Sequence, residues 1–118
     1  MGVAMAQDLI LKEKCKDMMK YAYQALRDIP RDYRYTLGAD IRASMNQLLR
    51  LIVQCGKRYH KRSTLEDLDV ELDALRSLIH VAVENRVITV REFEHWSGLL
   101  NELGRMVGGW LRSVRAKH

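Results

Sequence analysis

Four stretches of this 118-residue chain carry apolar residues at alternating spacings of three and four, and that pattern constrains the fold more than any other feature. In the first, Leu11, Cys15, Met18, Ala22, Ala25 and Ile29 fall on one face of a helix. In the second, Leu37, Ile41, Met45, Leu48, Ile52, Cys55 and Tyr59 do the same, with Leu49 and Val53 widening the stripe as for a helix with more than one packing partner. The third stripe is Leu65, Leu68, Leu72, Leu75, Ile79 and Ala82; the fourth is Phe93, Trp96, Leu100, Leu103, Val107, Trp110 and Val114. Heptad-like stripes joined by short connections predict an all-α protein, an antiparallel up-down-up-down four-helix bundle with left-handed packing. The helices are expected at about 8–28, 35–58, 64–86 and 89–114, in one domain over 1–118.

The breaks between stripes are few, with one proline in the chain. Pro30 lacks an N–H and disfavours helical geometry at Ile29, so it should end the first helix. Gly56 is placed where the second helix closes. Ser63 and Glu66, then Thr89 and Glu92, have capping-box spacing and should open the third and fourth helices. The tight connection 85–88 makes those two helices a hairpin.

Charge is unevenly spread. The net charge is +5 with a pI near 9.4, a mild lean toward polyanions. The most basic run is Gly56-Lys57-Arg58-Tyr59-His60-Lys61-Arg62-Ser63. From Arg27 to Arg62 nine basic residues face three acidic ones, whereas Ser63 to Leu103 carries three basic and nine acidic. Beyond Gly104 there are four basic residues and no acid. With the 56–63 loop and the C-terminal tail placed near opposite ends, the cations should trace a band along the bundle, as suits a backbone-tracking polyanion. The row Lys12, Lys16 and Lys20 reads as a solvated face. The loop 29–35 mixes Arg31 and Arg34 with Tyr33 and Tyr35, a composition that serves either base stacking or closure of the core.

Constellations for catalysis are missing. Cys15 and Cys55 lie on apolar stripes, roughly 10 Å out of register for a disulfide, and read as buried free thiols. Glu92-x-x-His95 has the spacing of half a di-iron site, but the second Glu-x-x-His and the inward carboxylates are absent from the sequence. There is no His-Glu-x-x-His, Cys-x-x-Cys or phosphate-cradling glycine loop. The expectation is a protein that is not an enzyme and takes no cofactor or metal. No stretch has the length of a signal-peptide core or membrane span, so the expected location is cytoplasmic, without membrane association.

The last helix holds a bare strip. Gly104, Gly108 and Gly109 fall within six residues although glycine costs about 1 kcal/mol against alanine in a helix interior. Close packing inside the bundle and a subunit interface at Gly104 and Gly108 are both open readings. Arg105, Arg112 and Arg115 share a face with Gly108 and can present cations to phosphates, or simply complement the negative helix end.

The run Gly104-Arg105-Met106-Val107-Gly108-Gly109-Trp110-Leu111-Arg112-Ser113-Val114 resembles the closing helix of the accessory variability proteins (Avd) of diversity-generating retroelements. Ile29-Pro30-Arg31 and Cys55-Gly56-Lys57 look like the same family's punctuation. The resemblance implies a basic four-helix bundle that forms a ring-like homopentamer and binds the element's reverse transcriptase and RNA or DNA. Such a protein supports mutagenic retrohoming without a catalytic site. The expected contact surface is Arg31, Arg34, Lys57, Arg58, Lys61, Arg62, Arg105, Arg112 and Arg115. The bundle proteins of ribosomal-RNA intervening sequences, of unassigned role, are the alternative. They typically carry an Ala-Glu-Gly turn where this chain has Val53-Gln54-Cys55-Gly56, which favours the retroelement family.

Overall fold

The computed structural model describes residues 3–117, so Met1, Gly2 and His118 of the expected 1–118 domain lie outside the described residues. Four helices follow in order: α1 Val3–Leu26, α2 Leu37–Lys57, α3 Arg62–Glu84 and α4 Val90–Ala116, with a 3₁₀ turn at Arg31–Tyr33 between the first two. No strand occurs among the described residues.

Contacts between helices run in opposing order. Ser44 of α2 donates to Glu71 of α3 at 2.7 Å, while Arg58, just past α2, reaches Thr64 at 3.4 Å. On α4, Arg115 pairs with Glu66 at 3.0 Å and Phe93 lies against His80 at 5.7 Å. Lys14 pairs with Glu102 and Tyr21 lies against His95, which sets α1 antiparallel to α4. The result is an all-α four-helix bundle with an up-down-up-down course, 47 Å long and 20 Å across.

The stripes form the core. Leu11, Cys15, Met18, Ile41, Met45, Leu48, Leu65, Leu68, Leu72, Leu75, Trp96 and Leu100 are among the side chains sealed inside it. At roughly 1.5–3 kcal/mol for each large apolar side chain buried, this packing holds the bundle together. The α2 stripe departs from expectation on one side. Val53 and Tyr59 are exposed, whereas Ser44 and Leu51 are buried. The wide face of α2 therefore turns toward α3, where Glu71 receives the Ser44 hydroxyl. Tyr59 leaves the stripe because α2 has already ended at Lys57.

Gly56 lies in the last turn of α2, where the second helix is expected to close, and its missing Cβ makes room for the Asp8 carboxylate of α1. The start of α3 differs from the sequence reading. Ser63 is not a cap: α3 starts at Arg62, with Lys61 at the N-cap position and no side-chain capping bond. The Lys61 ammonium instead donates to the carbonyls of Cys55 and Arg58 at 2.6 and 2.7 Å. The end of α2 is closed by these bonds, and α3 begins two residues earlier than expected. Thr89 behaves as expected. Its hydroxyl accepts from Glu92 N–H at 3.0 Å, and Glu92 accepts from Thr89 N–H at 2.9 Å. Ahead of that box, α3 closes with Arg86 in the left-handed region at φ 58°. The Val87→Ala82 and Arg86→Val83 backbone bonds, 2.8 and 3.1 Å, form a Schellman motif.

Candidate functional site

The up-down-up-down course brings the 58–61 connection and the end of α4 to the same pole, which overturns their expected placement at opposite ends. Lys61 lies over the Trp110 ring at 5.9 Å, and Arg115 reaches Glu66. Two antiparallel helices, α3 and α4, separate the two segments, so the chain leaves one pole and returns to it. Lys57, Arg58, Lys61, Arg62, Arg112 and Arg115 thus share one end of the molecule instead of tracing a band.

These six cations are not equivalent. Lys61 is half-buried and spends its protons on two carbonyls of the α2 terminus while packing on Trp110, so it builds the pole. Arg115 is tied to Glu66 and Arg58 to Thr64. Lys57, Arg62 and Arg112 are exposed and have no carboxylate within ion-pair distance among the described residues. Lys57 and Arg112 also sit near the negative ends of α2 and α4, which favours their charge.

Arg31 and Arg34 occupy the other pole. Arg34 offers its carbonyl to Arg42 at 3.3 Å, and with Tyr35, Ala39, Ala43 and Asn46 these two arginines line a shallow groove of about 510 Å³. Apart from Arg105, the expected contact residues therefore fall into two sets separated along the 47 Å axis.

Arg105 belongs with neither loop. Together with Arg112, Asn101 and Gly104 of α4, and with Arg76 of α3, it lines a groove of about 530 Å³. Arg76 lies across the α4 backbone where a Cβ on Gly104 would stand. Its Nη1 pairs with Asp73 at 2.8 Å, and its Nη2 donates to the Leu100 carbonyl at 3.4 Å. Its Nε is buried without a hydrogen-bond partner. Further along, the Arg112 guanidinium rests 3.4 Å from where a Gly108 Cβ would be. The glycine strip is a bed for guanidinium groups of its own protomer. Sequence reasoning missed Arg76. Its one signal is that it is the single Lys or Arg between Arg62 and Arg86.

Elsewhere the reactive residue types are occupied. Burial pushes the Cys15 thiol up to about 12 and that of Cys55 to about 11; both are free and buried. Glu92 is engaged in the α4 cap, and His95 lies tilted against Tyr21 with ring centroids 4.3 Å apart. Burial, aided by the nearby Glu92 charge, raises the Tyr21 hydroxyl above its ordinary value. Among the described residues no group of three or more His, Cys, Asp or Glu could hold a metal ion. No helix there is long and apolar enough to cross a membrane.

What the arrangement can do is bind an anion: a cationic pole continues along α4 through Arg112 into an arginine-lined groove. Comparison with curated proteins finds no match. A family model, described as bAvd-like, matches residues 9–114, a span that takes in all but the outermost turns of the bundle, and the chain belongs to that family.

Proposed function

We propose that this protein is a non-catalytic accessory subunit of a diversity-generating retroelement. It binds the element's reverse transcriptase and the template RNA or its cDNA during mutagenic retrohoming, and acts in the cytoplasm as a homopentamer. The observation that carries the reading is the family match over residues 9–114. Lys57, Arg62 and Arg112, exposed at one pole and without carboxylate partners among the described residues, are consistent with it, because contacts to phosphates need cations not already committed to carboxylates. Such contacts are independent of base sequence and weaken steeply with salt. Gly104 and Gly108 are covered by Arg76 and Arg112, so a neighbouring subunit approaching this strip would meet guanidinium groups before backbone.

Light scattering with and without the cognate reverse transcriptase tests the proposal. The expected species is a particle of about five times 13.8 kDa that co-elutes with the polymerase. A monomer or dimer indifferent to the polymerase would refute the accessory role.

A further inference from the structure

The groove between α3 and α4 is more ordered than a basic surface needs to be. Three arginines and an asparagine line it with a glycine, and no carboxylate does. Arg76 is held by Asp73 on one side and the Leu100 carbonyl on the other, so its guanidinium is already oriented before any ligand arrives. Its side chain is 32% exposed, and its Nε is shielded from solvent with no acceptor. A charge-assisted hydrogen bond to a partly desolvated arginine is stronger than one formed in open water. Asp73 neutralises part of Arg76, leaving Arg105 and Arg112 as exposed charges without carboxylate partners among the described residues. Gly104 stands in a helix interior at a cost of about 1 kcal/mol, and a Cβ there would displace the Arg76 guanidinium that lies on its backbone.

We propose that this groove binds a phosphodiester of the nucleic-acid strand, with Arg76, Arg105 and Arg112 as donors and Gly104 as the positioning residue that keeps Arg76 in place. The inference rests on the nucleic-acid reading above and adds to it a particular site. It also separates geometry from charge. Gly104→Ala leaves the net charge unchanged and favours helix, yet its methyl group takes the space Arg76 occupies. Sequence-independent attraction to the whole surface would not notice that substitution.

The experiment measures binding of a fluorescent single-stranded oligonucleotide at fixed moderate salt to the full chain, with inorganic pyrophosphate as competitor. The variants are Gly104→Ala, Arg76→Gln and the control Lys20→Gln, which removes one exposed charge on α1, outside the groove. Gly104→Ala and Arg76→Gln should each weaken binding roughly tenfold, the worth of one charge-assisted hydrogen bond, and Lys20→Gln by less than about twofold. Pyrophosphate should displace the oligonucleotide from the native protein and less effectively from either groove variant. Circular dichroism checks helicity; if Gly104→Ala disturbs it, Arg76→Gln against Lys20→Gln decides. Native-like binding by Gly104→Ala, with Arg76→Gln no weaker than the control, would overturn the groove site and leave the wider nucleic-acid reading standing. Failure of the native protein to bind the oligonucleotide at low salt would remove that wider reading, and the site with it. Pyrophosphate binding without oligonucleotide binding would make the ligand a free phosphate and reject the strand.

Discussion

Cys15 and Cys55 illustrate how far a single residue's fate can be read locally. Each sits on an apolar stripe, and each is fully enclosed in the folded protein. Burial disfavours the thiolate, so the thiols titrate near 12 and 11, and at pH 8 even Cys55 is ionised to only about one part in a thousand. A thiol-specific chromogenic reagent at pH 8 should therefore find neither cysteine in the native protein and both after unfolding in denaturant. One fast-reacting thiol under native conditions would mean that a stripe residue is not in the core. Arg76 is the opposite case. Its neighbours in sequence, Leu75 and Ser77, say nothing about Gly104, which lies on another helix. Burial of a stripe residue follows from local periodicity, whereas a guanidinium seated on a distant glycine follows from the packing of two helices.

At the level of elements, the same four-residue pattern occurs twice and means two different things. Ser63/Glu66 and Thr89/Glu92 both match a capping box, and one of them is a cap. The difference lies outside the motif, in Lys61, which bonds the end of α2 and leaves Ser63 exposed within the first turn of α3. Thr89→Ala should thus cost about 1 kcal/mol and lower the melting temperature by roughly 3–6 °C, while Ser63→Ala should change it little. Equal losses would show that both helices are capped in solution. The link between α1 and α4 makes a second prediction. The hydrogen bond from Lys14, together with its charge, lowers the Glu102 carboxyl below its ordinary 4.5; the same contacts raise Lys14 above 10.5. A lowered carboxyl stabilises the fold fully above about pH 4.5 and loses that contribution as pH falls through its lowered value. A raised lysine contributes fully below about pH 10.5 and loses its share as pH climbs through the raised value. Glu102→Gln should therefore reduce thermal stability slightly at pH 7 and make no difference well below pH 4.5. Because both side chains are largely solvated, the effect should shrink with added salt. A variant that stays less stable than the native protein at strongly acidic pH would point to lost packing instead.

Over the whole molecule, topology redistributes the charge that the sequence presents as a run. The bundle itself was legible, since four stripes with short connections leave one economical way to bury them. The shared pole is not visible in the linear order of charges, because it arises from three reversals that return the chain's end to the level of the second connection. Arg105 apart, the expected contact residues therefore gather in two sets along 47 Å. Lys57, Arg62 and Arg112 lie exposed at one end, with Arg105 further along α4, while Arg31 and Arg34 lie at the other. If a strand follows α4 toward the near pole, only the first set releases counterions when it binds. For single strands the slope of log affinity against log salt is about −0.7 for each phosphate neutralised. Lys57→Gln with Arg62→Gln should make that slope shallower by roughly 1.4, whereas Arg31→Gln with Arg34→Gln should leave it alone. The measurement uses an oligonucleotide shorter than the long axis, titrated at several salt concentrations, so that one strand cannot span both poles. Equal changes from the two double variants would show that the poles bind alike, and the directional character assigned to this bundle would be lost. A change confined to the α2–α4 pole would mean that the chain reversal, more than the net charge of +5, determines where the polyanion lies.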